Sequence, residues 1–342
     1  MRTYPAIALV FFLGLARMSF SPASTFEAKS SQKEPPHLVF VRQFSSGQDI
    51  KREHPILNRS IDIIAGPKEA EPPNYELQEP YGVTTDSRHR VFVTDLRARA
   101  VHVFDFANSK YSRFRGGDGL HLPVGVAADR EGHIYVSDRG LQTILVYDSR
   151  GKFVRHLKKT TGAESYFDSV QGIAVDSVTG RLYVCDPPRH MVFALNQKGR
   201  VLARFGKRFG GEGLGEFRYP SQIVVAGGEI VVLDSGNYRI QILDLRGHFL
   251  KQFRLPDVSN GTGLAMDGNG NIYVTDPQLN QLQVFSHSGE FLYNFGESGT
   301  GAGQFNGVSG MWVDSGHCLY VVDSKNKRVQ LFQIAAANAD GC

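Results

Sequence analysis

Residues 231–244, VVLDSGNYRIQILD, bring together three side chains that could do chemistry, Asp234, Asn237 and Arg239. A carboxylate, an amide and a guanidinium this close in sequence could form a binding or catalytic site, or they could serve the fold. A site required by chemistry usually occurs once, whereas a feature required by a repeated architecture occurs in every repeat. The number of copies along the chain therefore separates the two interpretations.

The pattern occurs six times. In each copy an apolar stretch such as IYVSD or LYVVD ends in an Asp, and a short loop and a second apolar stretch follow. The Asp residues are 42 to 48 residues apart, and they are Asp95, Asp138, Asp186, Asp234, Asp276 and Asp323. Repeats of this length, built from short alternating strands, are typical of β-propellers.

Each repeat also contains an inner strand such as GVTTD or GLAMD before its Asp, and a fourth strand after a DSRGK-type turn. Six units of this kind form one closed object rather than several ordinary domains. A charged fraction of 21%, with 37 Gly and 15 Pro, fits a turn-rich all-β protein. The sequence therefore predicts an all-β, six-bladed β-propeller of four-stranded antiparallel blades over residues 80–334.

Closure of the ring needs one more strand, because the last repeat provides only three. Two extended stretches precede the first repeat, HLVFVRQF at 37–44 and SIDIIAG at 60–66. An N-terminal strand that completes the last blade removes an exposed edge, and we expect one of these two to do so. Residues 29–79 are thus an N-terminal extension, with 67–80 as a solvated loop, and 335–342 are a C-terminal tail.

The N-terminus predicts export. Arg2 precedes an apolar run over residues 6–16, and small and polar residues follow it. As a helix this run spans about 16 Å, too short for a bilayer, which favours a signal peptide over 1–28 cleaved after Ala23 or Ala28. An uncleaved anchor or a buried first helix is the alternative. We expect a periplasmic or extracellular protein with no membrane span after cleavage.

The three cysteines do not predict a disulfide framework. Cys185 and Cys318 lie in the third and sixth repeats, on opposite sides of a six-membered ring. Disulfide-bonded residues have Cα atoms within about 7 Å, so these two are not expected to pair. Cys342, on the tail, could meet another chain or nothing.

Several stretches resemble NHL repeats: NYRIQILDLRGHFLKQF, the linkers FGKRFGGEGLGEFRYP and FGESGTGAGQFNG, and the inner strands GIAVD and GLAMD. The resemblance covers residues 80–334 and is strongest in the fourth to sixth repeats. The first two repeats depart from it, with LRARA and RGLQT in place of the Asn and Arg. The resemblance implies a six-bladed propeller and leaves the activity open, because such folds carry many functions.

The repeated Asp residues are best interpreted as turn formers whose carboxylates accept backbone N–H bonds. Arg239 and Arg328, five residues after their Asp, are interpreted as links between neighbouring blades. A second set of Asp residues ends the inner strands and is also assigned to turns; it comprises Asp86, Asp129, Asp176, Asp267 and Asp314.

The loops after the six Asp residues, and the segments that lead into the inner strands, share one face of a propeller, here called the mouth face. The residues before the inner-strand glycines line its centre, and they are Tyr81, Val124, Gln171, Ser221, Thr262 and Ser309. The similar lyase acting on peptidyl-α-hydroxyglycine holds zinc through histidines at such positions, and this chain has none there. We therefore predict no catalytic residue, metal or cofactor, and keep a metal-dependent lyase or lactonase as the alternative.

The mouth loops carry cations and no acid beyond the leading Asp. We expect a non-enzymatic, monomeric binding or scaffold module whose mouth face docks a protein or an anionic envelope polymer. Nucleic acid is not expected, because an exported protein rarely meets it and no basic and aromatic array is visible. The candidate ligand-binding residues are Tyr81, Gln171, Arg97, Arg99, Arg139, Arg189, His190, Tyr238, Lys325 and Lys327.

Overall fold

The computed structural model describes residues 35–53, 75–116, 119–157, 167–256 and 261–335. The chain divides into two compact units, Met1–Pro35 and Pro36–Cys342, and the elements of the propeller belong to the second. The predicted signal peptide, the 60–66 stretch and nearly all of the C-terminal tail lie outside the described residues. Within the described residues, no helix has the length and apolarity needed to cross a membrane.

Six four-stranded antiparallel sheets form a ring, which confirms the predicted six-bladed propeller. Blade 1 contains β2 (Pro80–Thr85), β3 (Val91–Asp95), β4 (Ala100–Asp105) and β5 (Lys110–Phe114). Blade 2 contains β6 (Pro123–Ala128), β7 (Ile134–Asp138), β8 (Thr143–Tyr147) and β9 (Phe153–Leu157). Blade 3 contains β10 (Ile173–Val175), β11 (Leu182–Asp186), β12 (Met191–Leu195) and β13 (Val201–Gly206).

Blade 4 contains β14 (Pro220–Ala226), β15 (Glu229–Asp234), β16 (Arg239–Asp244) and β17 (Phe249–Arg254). Blade 5 contains β18 (Leu264–Met266), β19 (Ile272–Asp276), β20 (Gln281–Phe285) and β21 (Phe291–Phe295). Blade 6 contains β24 (Val308–Val313), β25 (Cys318–Asp323), β26 (Arg328–Ala335) and the N-terminal β1 (His37–Phe44). A short parallel pair, β22 (Glu297–Ser298) and β23 (Gln304–Phe305), precedes blade 6, and 3-10 turns cover Gly47–Glu53, Pro187–Arg189 and Ser235–Asn237.

The strand that closes the ring is β1, the first of the two stretches considered from the sequence. It pairs antiparallel with β26, from His37 opposite Ala335 to Phe44 opposite Val329. The side chain of Phe44 is buried in the core shared with blade 1. Blade 6 is therefore built from both ends of the propeller chain, which leaves the ring without an open seam.

The hydrophobic core lies between neighbouring blades. Strands 2 and 3 of each blade are almost completely buried, because both faces of a blade pack against another sheet. One cluster joins Tyr183 and Val192 of blade 3 to Ile223 and Val232 of blade 4, and the other junctions are built in the same way. This packing explains why the second strands are continuous apolar runs rather than alternating ones.

Residues 75–79 differ from the solvated loop expected from their composition. Leu77 is buried, and the Gln78 N–H donates to the Asp95 carboxylate at 2.6 Å. The Tyr111 hydroxyl donates to the Tyr75 carbonyl at 3.2 Å, and the Arg113 guanidinium lies 3.4 Å from the centre of the Tyr75 ring. These contacts fasten the segment to blade 1.

The cysteines have different environments. Cys185 is free and buried within β11, and burial raises the pKa of its thiol. Cys318 is disulfide-bonded, so Cys185 and Cys318 do not pair with each other. Cys342 lies outside the described residues.

Candidate binding face at the mouth of the ring

The six repeated Asp residues assemble the mouth face. Each carboxylate is buried at the end of its second strand. In blade 2, Asp138 accepts the His121 N–H at 2.7 Å from the segment leading into the inner strand. It also accepts the Leu141 N–H at 3.0 Å from the loop that leaves the second strand. The carboxylate thereby joins the two segments that form the face, as its interpretation as a turn former requires.

The loops after these Asp residues all adopt the same backbone turn. Its fourth residue has a positive φ between 50° and 57° in every blade, although none of the six is glycine: Arg99, Gln142, His190, Tyr238, Asn280 and Lys327. Side chains other than glycine are uncommon in this conformation, so the fold imposes it at the same place each time. The turn is constant and its side chain varies, which leaves this position available for recognition.

A cleft of about 450 Å³ opens on the mouth face where blades 5, 6 and 1 meet. We call it the cationic cleft; its walls include four of the predicted binding residues, Tyr81, Arg97, Lys325 and Lys327, together with one exposed carboxylate, Glu79. The three cationic side chains are exposed. Among the described residues, none of the three has a carboxylate within ion-pair distance. Their charges are therefore available to a ligand.

Tyr81 connects this cleft to the loops of blades 2 and 3. Burial raises the pKa of its hydroxyl, whereas the charge of Arg139 and a hydrogen bond with the Gln171 side chain act in the opposite direction. The structure thus brings Tyr81, Gln171 and Arg139 together beside the cationic cleft. Arg139 is exposed, which makes it a fourth cation of the same region. Arg99, also exposed, lies on the adjoining loop of blade 1.

Two predicted binding residues in blade 3 have internal contacts. Arg189 forms an ion pair with Asp168 at 2.7 Å, and this hydrogen bond lowers the pKa of the Asp168 carboxyl. The His190 Nδ1 accepts the Tyr219 N–H at 3.1 Å, and the two rings meet edge to face with centres 4.5 Å apart. Both residues fasten the loop of blade 3 to a connecting segment, so they contribute less free charge than the sequence suggested.

Tyr238 lies on the loop of blade 4, away from the cationic cleft. With Arg218, Arg254 and the Gln252 side chain it lines a second cleft of about 460 Å³. The ten predicted residues therefore do not form one site. One group surrounds the cationic cleft, and another lies over blades 3 and 4.

Arg239 and Arg328 are buried and hold the segments that connect neighbouring blades. The Arg239 Nε donates to Asp234 at 2.8 Å, and its remaining N–H groups reach carbonyls of Glu212, Gly213 and Glu216. Arg328 repeats this arrangement with Asp323 and carbonyls of residues 300, 301 and 304. These arginines organise the face without being offered to a ligand.

His102 is a buried titratable residue that the sequence interpretation missed. It occupies the position seven residues after Asp95, where the last three blades have glutamine: Gln241, Gln283 and Gln330. Its Nδ1 lies 2.7 Å from the Tyr111 hydroxyl, and its Nε2 lies 3.6 Å from Asp95 Oδ2. Burial lowers the pKa of His102 to about 4. The register of the repeats was the signal that could have found it.

The described residues contain one cluster with metal-ligand chemistry, Asp129, Glu131 and His133. It lies in the turn between β6 and β7, on the face opposite the mouth. There His133 Nδ1 is 3.0 Å from Asp129 Oδ2, which also accepts the Tyr135 hydroxyl at 2.9 Å. The cluster is thus part of a turn, and the described part of the mouth face gathers no comparable set of histidines and carboxylates for the lyase or lactonase alternative.

Comparison with known proteins agrees with the fold. An "NHL repeat" family matches residues 217–243, and a "6-bladed beta-propeller" family matches residues 263–336. Protein brain tumor of Drosophila melanogaster is 26% identical over 152 residues, which are 43% of this chain and 14% of that protein. Peptidyl-glycine alpha-amidating monooxygenase A of Xenopus laevis is 27% identical over 172 residues, 46% of this chain and 18% of that protein.

The chain thus spans less than a fifth of the length of these relatives. Among solved structures, a gluconolactonase from Xanthomonas campestris has a TM-score of 0.58 at 16% identity, covering 76% of this chain and 87% of the other. Virginiamycin B lyase from Staphylococcus aureus has a TM-score of 0.54 at 13% identity, covering 75% and 96%. A nidogen/laminin complex gives 0.52 at 20%, covering 63% and 79%. The resemblance to NHL-repeat six-bladed propellers is confirmed. The similar solved structures support the fold and nothing beyond the fold.

Proposed function

We propose that this NHL-repeat six-bladed β-propeller is a non-enzymatic binding module whose mouth face docks an acidic partner, a protein or an anionic envelope polymer. The observation that carries the proposal is the cationic cleft. Arg97, Lys325 and Lys327 line it with a single acid, Glu79, and no described carboxylate lies within ion-pair distance of the three cations. Exposed cations cost little to keep in water and form ion pairs of about 0.2–1 kcal/mol each, so several together provide a weak, salt-sensitive site.

The lyases and lactonases of similar fold do not transfer an activity to this chain, since they share 16% identity or less with it. The nidogen/laminin structure carries no binding role to it either. The proposal rests on the side chains of the cleft and on the buried Arg328, which holds the segment leading into blade 6.

The experiment compares two triple variants. Arg97→Ser, Lys325→Ser and Lys327→Ser remove the cations of the cleft. Arg88→Ser, Arg130→Ser and Arg246→Ser remove three exposed cations from turns on the opposite face and form the matched control. Both triple variants change the net charge by the same amount. A difference in affinity between them therefore reports the effect of where the charges lie.

Binding of fluorescein-labelled poly-glutamate and polygalacturonate is measured by anisotropy at about 50 and about 300 mM NaCl, because exposed charges are screened over about 8–10 Å at physiological ionic strength. The parent protein should bind at least one of them and weaken with salt. The cleft variant should lose about tenfold in affinity, since three contacts of about 0.5 kcal/mol amount to roughly 1.5 kcal/mol and about 1.4 kcal/mol corresponds to a factor of ten. The control should stay within about twofold of the parent. Equal losses in both variants, or no binding by the parent, would contradict the proposal.

The proposed compartment is outside the cytoplasm, periplasmic or extracellular, with the protein monomeric. Support comes from the apolar run at residues 6–16 and the small residues after it. Mass spectrometry of protein expressed from the full gene should find a mature N-terminus at Ser24 or Lys29. Recovery of intact Met1 on most molecules would contradict export by a cleaved signal.

A further inference from the structure

Four large apolar or aromatic side chains project into solvent on the mouth face of blades 3 and 4. Phe209 is 92% exposed, Leu214 is 64%, Tyr219 is 53% and Tyr238 is 40% exposed. We call these four residues the apolar face. Single exposed apolar residues are ordinary, but a group of them in one place marks an interaction surface.

The four residues form one region. Tyr219 packs edge to face on the His190 ring, and that ring lies against the backbone of Gly210, next to Phe209. The Asn237 side chain donates to the Gly211 carbonyl at 2.8 Å, which joins the loop carrying Tyr238 to the segment carrying Phe209 and Leu214.

The segment that presents Phe209 and Leu214 is held firmly. Arg239 bonds the carbonyls on both sides of Leu214, and Gln241 accepts the Gly215 N–H at 2.9 Å. A loosely held loop could turn its apolar side chains inward, whereas this one is fixed by a buried arginine. Tyr219 and Tyr238 have φ values of 50° and 51°, a conformation that is costly for bulky residues. Both tyrosines are thus held in a strained backbone conformation while their side chains stay exposed.

The fold does not need them. Blade 6 contains the same connecting segment, in which Arg328 and Asn326 make the bonds that Arg239 and Asn237 make in blade 4. At the positions of Leu214, Tyr219 and Tyr238, blade 6 has Ala302, Gly307 and Lys327. Phe209 has no counterpart there, because the segment is two residues shorter. The same framework bonds thus form in blade 6 without the apolar side chains, which points to a role for these side chains outside the fold.

The surroundings of the apolar face indicate the charge of that partner. Arg208, Arg218 and Arg254 are exposed around it. Arg218 lies 3.6 Å from Glu212, a long contact between two exposed side chains. Leu214 and Phe209 have no hydrogen-bonding group, so they suit the apolar side chains of a protein better than the hydroxyl-rich surface of a glycan. Tyrosine and arginine are also enriched in protein interfaces.

We propose that the apolar face docks a segment of a partner protein in which acidic residues flank apolar side chains, with the acids directed to the exposed arginines around this face, Arg208, Arg218 and Arg254. The inference rests on the proposed function and names its partner: a protein, rather than an envelope polymer. Phe209 and Leu214 are its anchors, and the cations provide attraction over a longer range.

The test selects peptides from a phage-displayed library of random 12-residue sequences on the immobilised parent protein. The double variant Phe209→Ser and Leu214→Ser removes the anchors. The control, Val178→Ser and Leu250→Ser, removes two exposed apolar side chains outside the mouth face. All these residues are exposed, so each variant should fold, which the melting temperature and near-UV circular dichroism verify.

Peptides selected by the parent should be rich in Asp and Glu and also in Phe, Leu, Tyr or Trp. The strongest of them should bind the anchor variant about tenfold or more weakly, because apolar area on both partners stays in water, and should bind the control within about twofold. Selection repeated on the anchor variant should keep the acidic preference and lose the apolar one.

Acidic peptides without apolar enrichment, or equal losses in the anchor variant and the control, would overturn this inference and leave the proposed function standing. Failure to enrich any peptide would overturn it too, and the polyanion measurement alone would then judge the proposed function. Enrichment of apolar peptides without acids, together with no binding of poly-glutamate or polygalacturonate, would overturn the proposed function and, with it, the acidic part of this inference.

Discussion

Blades 4 and 6 share one internal framework and present different surfaces. In each, an Asp carboxylate binds an Arg five residues later, at 2.8 Å for Asp234 and 2.7 Å for Asp323. An Asn of the loop and a Gln of the following strand complete the bonds to the connecting segment. Outside this framework, blade 4 exposes tyrosine and leucine, and blade 6 exposes Lys325 and Lys327.

Position within the turn decides what a side chain can do. Residues three, five and seven positions after the Asp point inward and are satisfied by the protein. Residues two and four positions after it are exposed in blade 6, where they are lysines. Partner recognition can therefore change from blade to blade while the framework stays the same, which is why the repeats indicate the fold and the departures indicate the ligand.

The largest expected effect comes from removing the closing strand, which only blade 6 borrows from the N-terminus. A chain that starts at Ser45 loses the seven residue pairs between β1 and β26 and the buried Phe44. Stability should fall by about 5 kcal/mol or more, an amount comparable with that of a whole domain. Hydrogen exchange should then show β26 unprotected and β16 still protected. Equal protection of both strands would mean that blade 6 closes without β1.

Removing the carboxylate from the framework should be the next largest effect. Asp234→Ala leaves the Arg239 charge buried without its partner and should cost about 3–5 kcal/mol. Asp276→Ala is the matched change in blade 5, where Gln281 stands at the position of Arg239. It leaves loop N–H groups unpaired and should cost about 1–3 kcal/mol. Denaturant melts measure both, and a larger loss for Asp276→Ala would reverse the assigned importance of the buried arginine.

His102 should make the stability of blade 1 depend on pH. Blades 4 to 6 have glutamine at this position, which does not titrate. Its pKa is about 4 in the folded protein, mainly through burial, against about 6.5 in the unfolded chain. Between these pH values the unfolded chain binds a proton that the folded protein does not. Lowering the pH from 6.5 to 4 should therefore remove about 3 kcal/mol of stability through this residue.

His102→Gln places in blade 1 the residue that the last three blades already use. The difference in unfolding free energy between the variant and the parent should grow in favour of the variant as the pH falls from about 6.5 to about 4. Burial also raises the pKa of Asp186 to about 6, which acts with the opposite sign. Because Asp186 is present in both proteins, its contribution cancels in the difference. A difference independent of pH would show that His102 does not titrate as described.

The smallest expected effect is on stability when the surfaces are exchanged. Leu214→Ala combined with Ala302→Leu moves one exposed apolar side chain from blade 4 to blade 6. Surface changes of this kind usually alter stability by less than about 0.5 kcal/mol. The denaturant midpoint should stay nearly constant. A loss of several kcal/mol would show that Leu214 belongs to the framework rather than to the surface.

Much of this organisation could be predicted from the sequence, because the repeat spacing carries it. The repeated Asp residues and the buried roles of Arg239 and Arg328 follow from recurrence. Recurrence does not decide whether 37–44 or 60–66 is the closing strand, because both are short apolar stretches that occur once. Composition also assigned Leu77 to a solvated loop, although it is buried against blade 1.

The site was less predictable, because it depends on how the connecting segments run over the face. Arg189 forms an ion pair with Asp168, which lies on such a segment, and no local sequence pattern indicates that pair. In the sequence Phe209 and Leu214 are ordinary linker residues. Their exposure depends on how Arg239 holds the segment, which only the structure shows. Tyr81 and Gln171 were predicted from their place in the ring, and they do meet.

Hydrogen exchange of the parent protein, measured with and without saturating poly-glutamate, locates the binding surface on the propeller. Protection should appear in the loops at 96–99 and 324–327, which carry the cations of the cleft. The turns at 87–90 and 130–133, on the opposite face, should exchange unchanged. Protection of those turns, or no protection of the mouth loops in a protein that binds the polymer, would contradict the assignment of the mouth face as the binding surface.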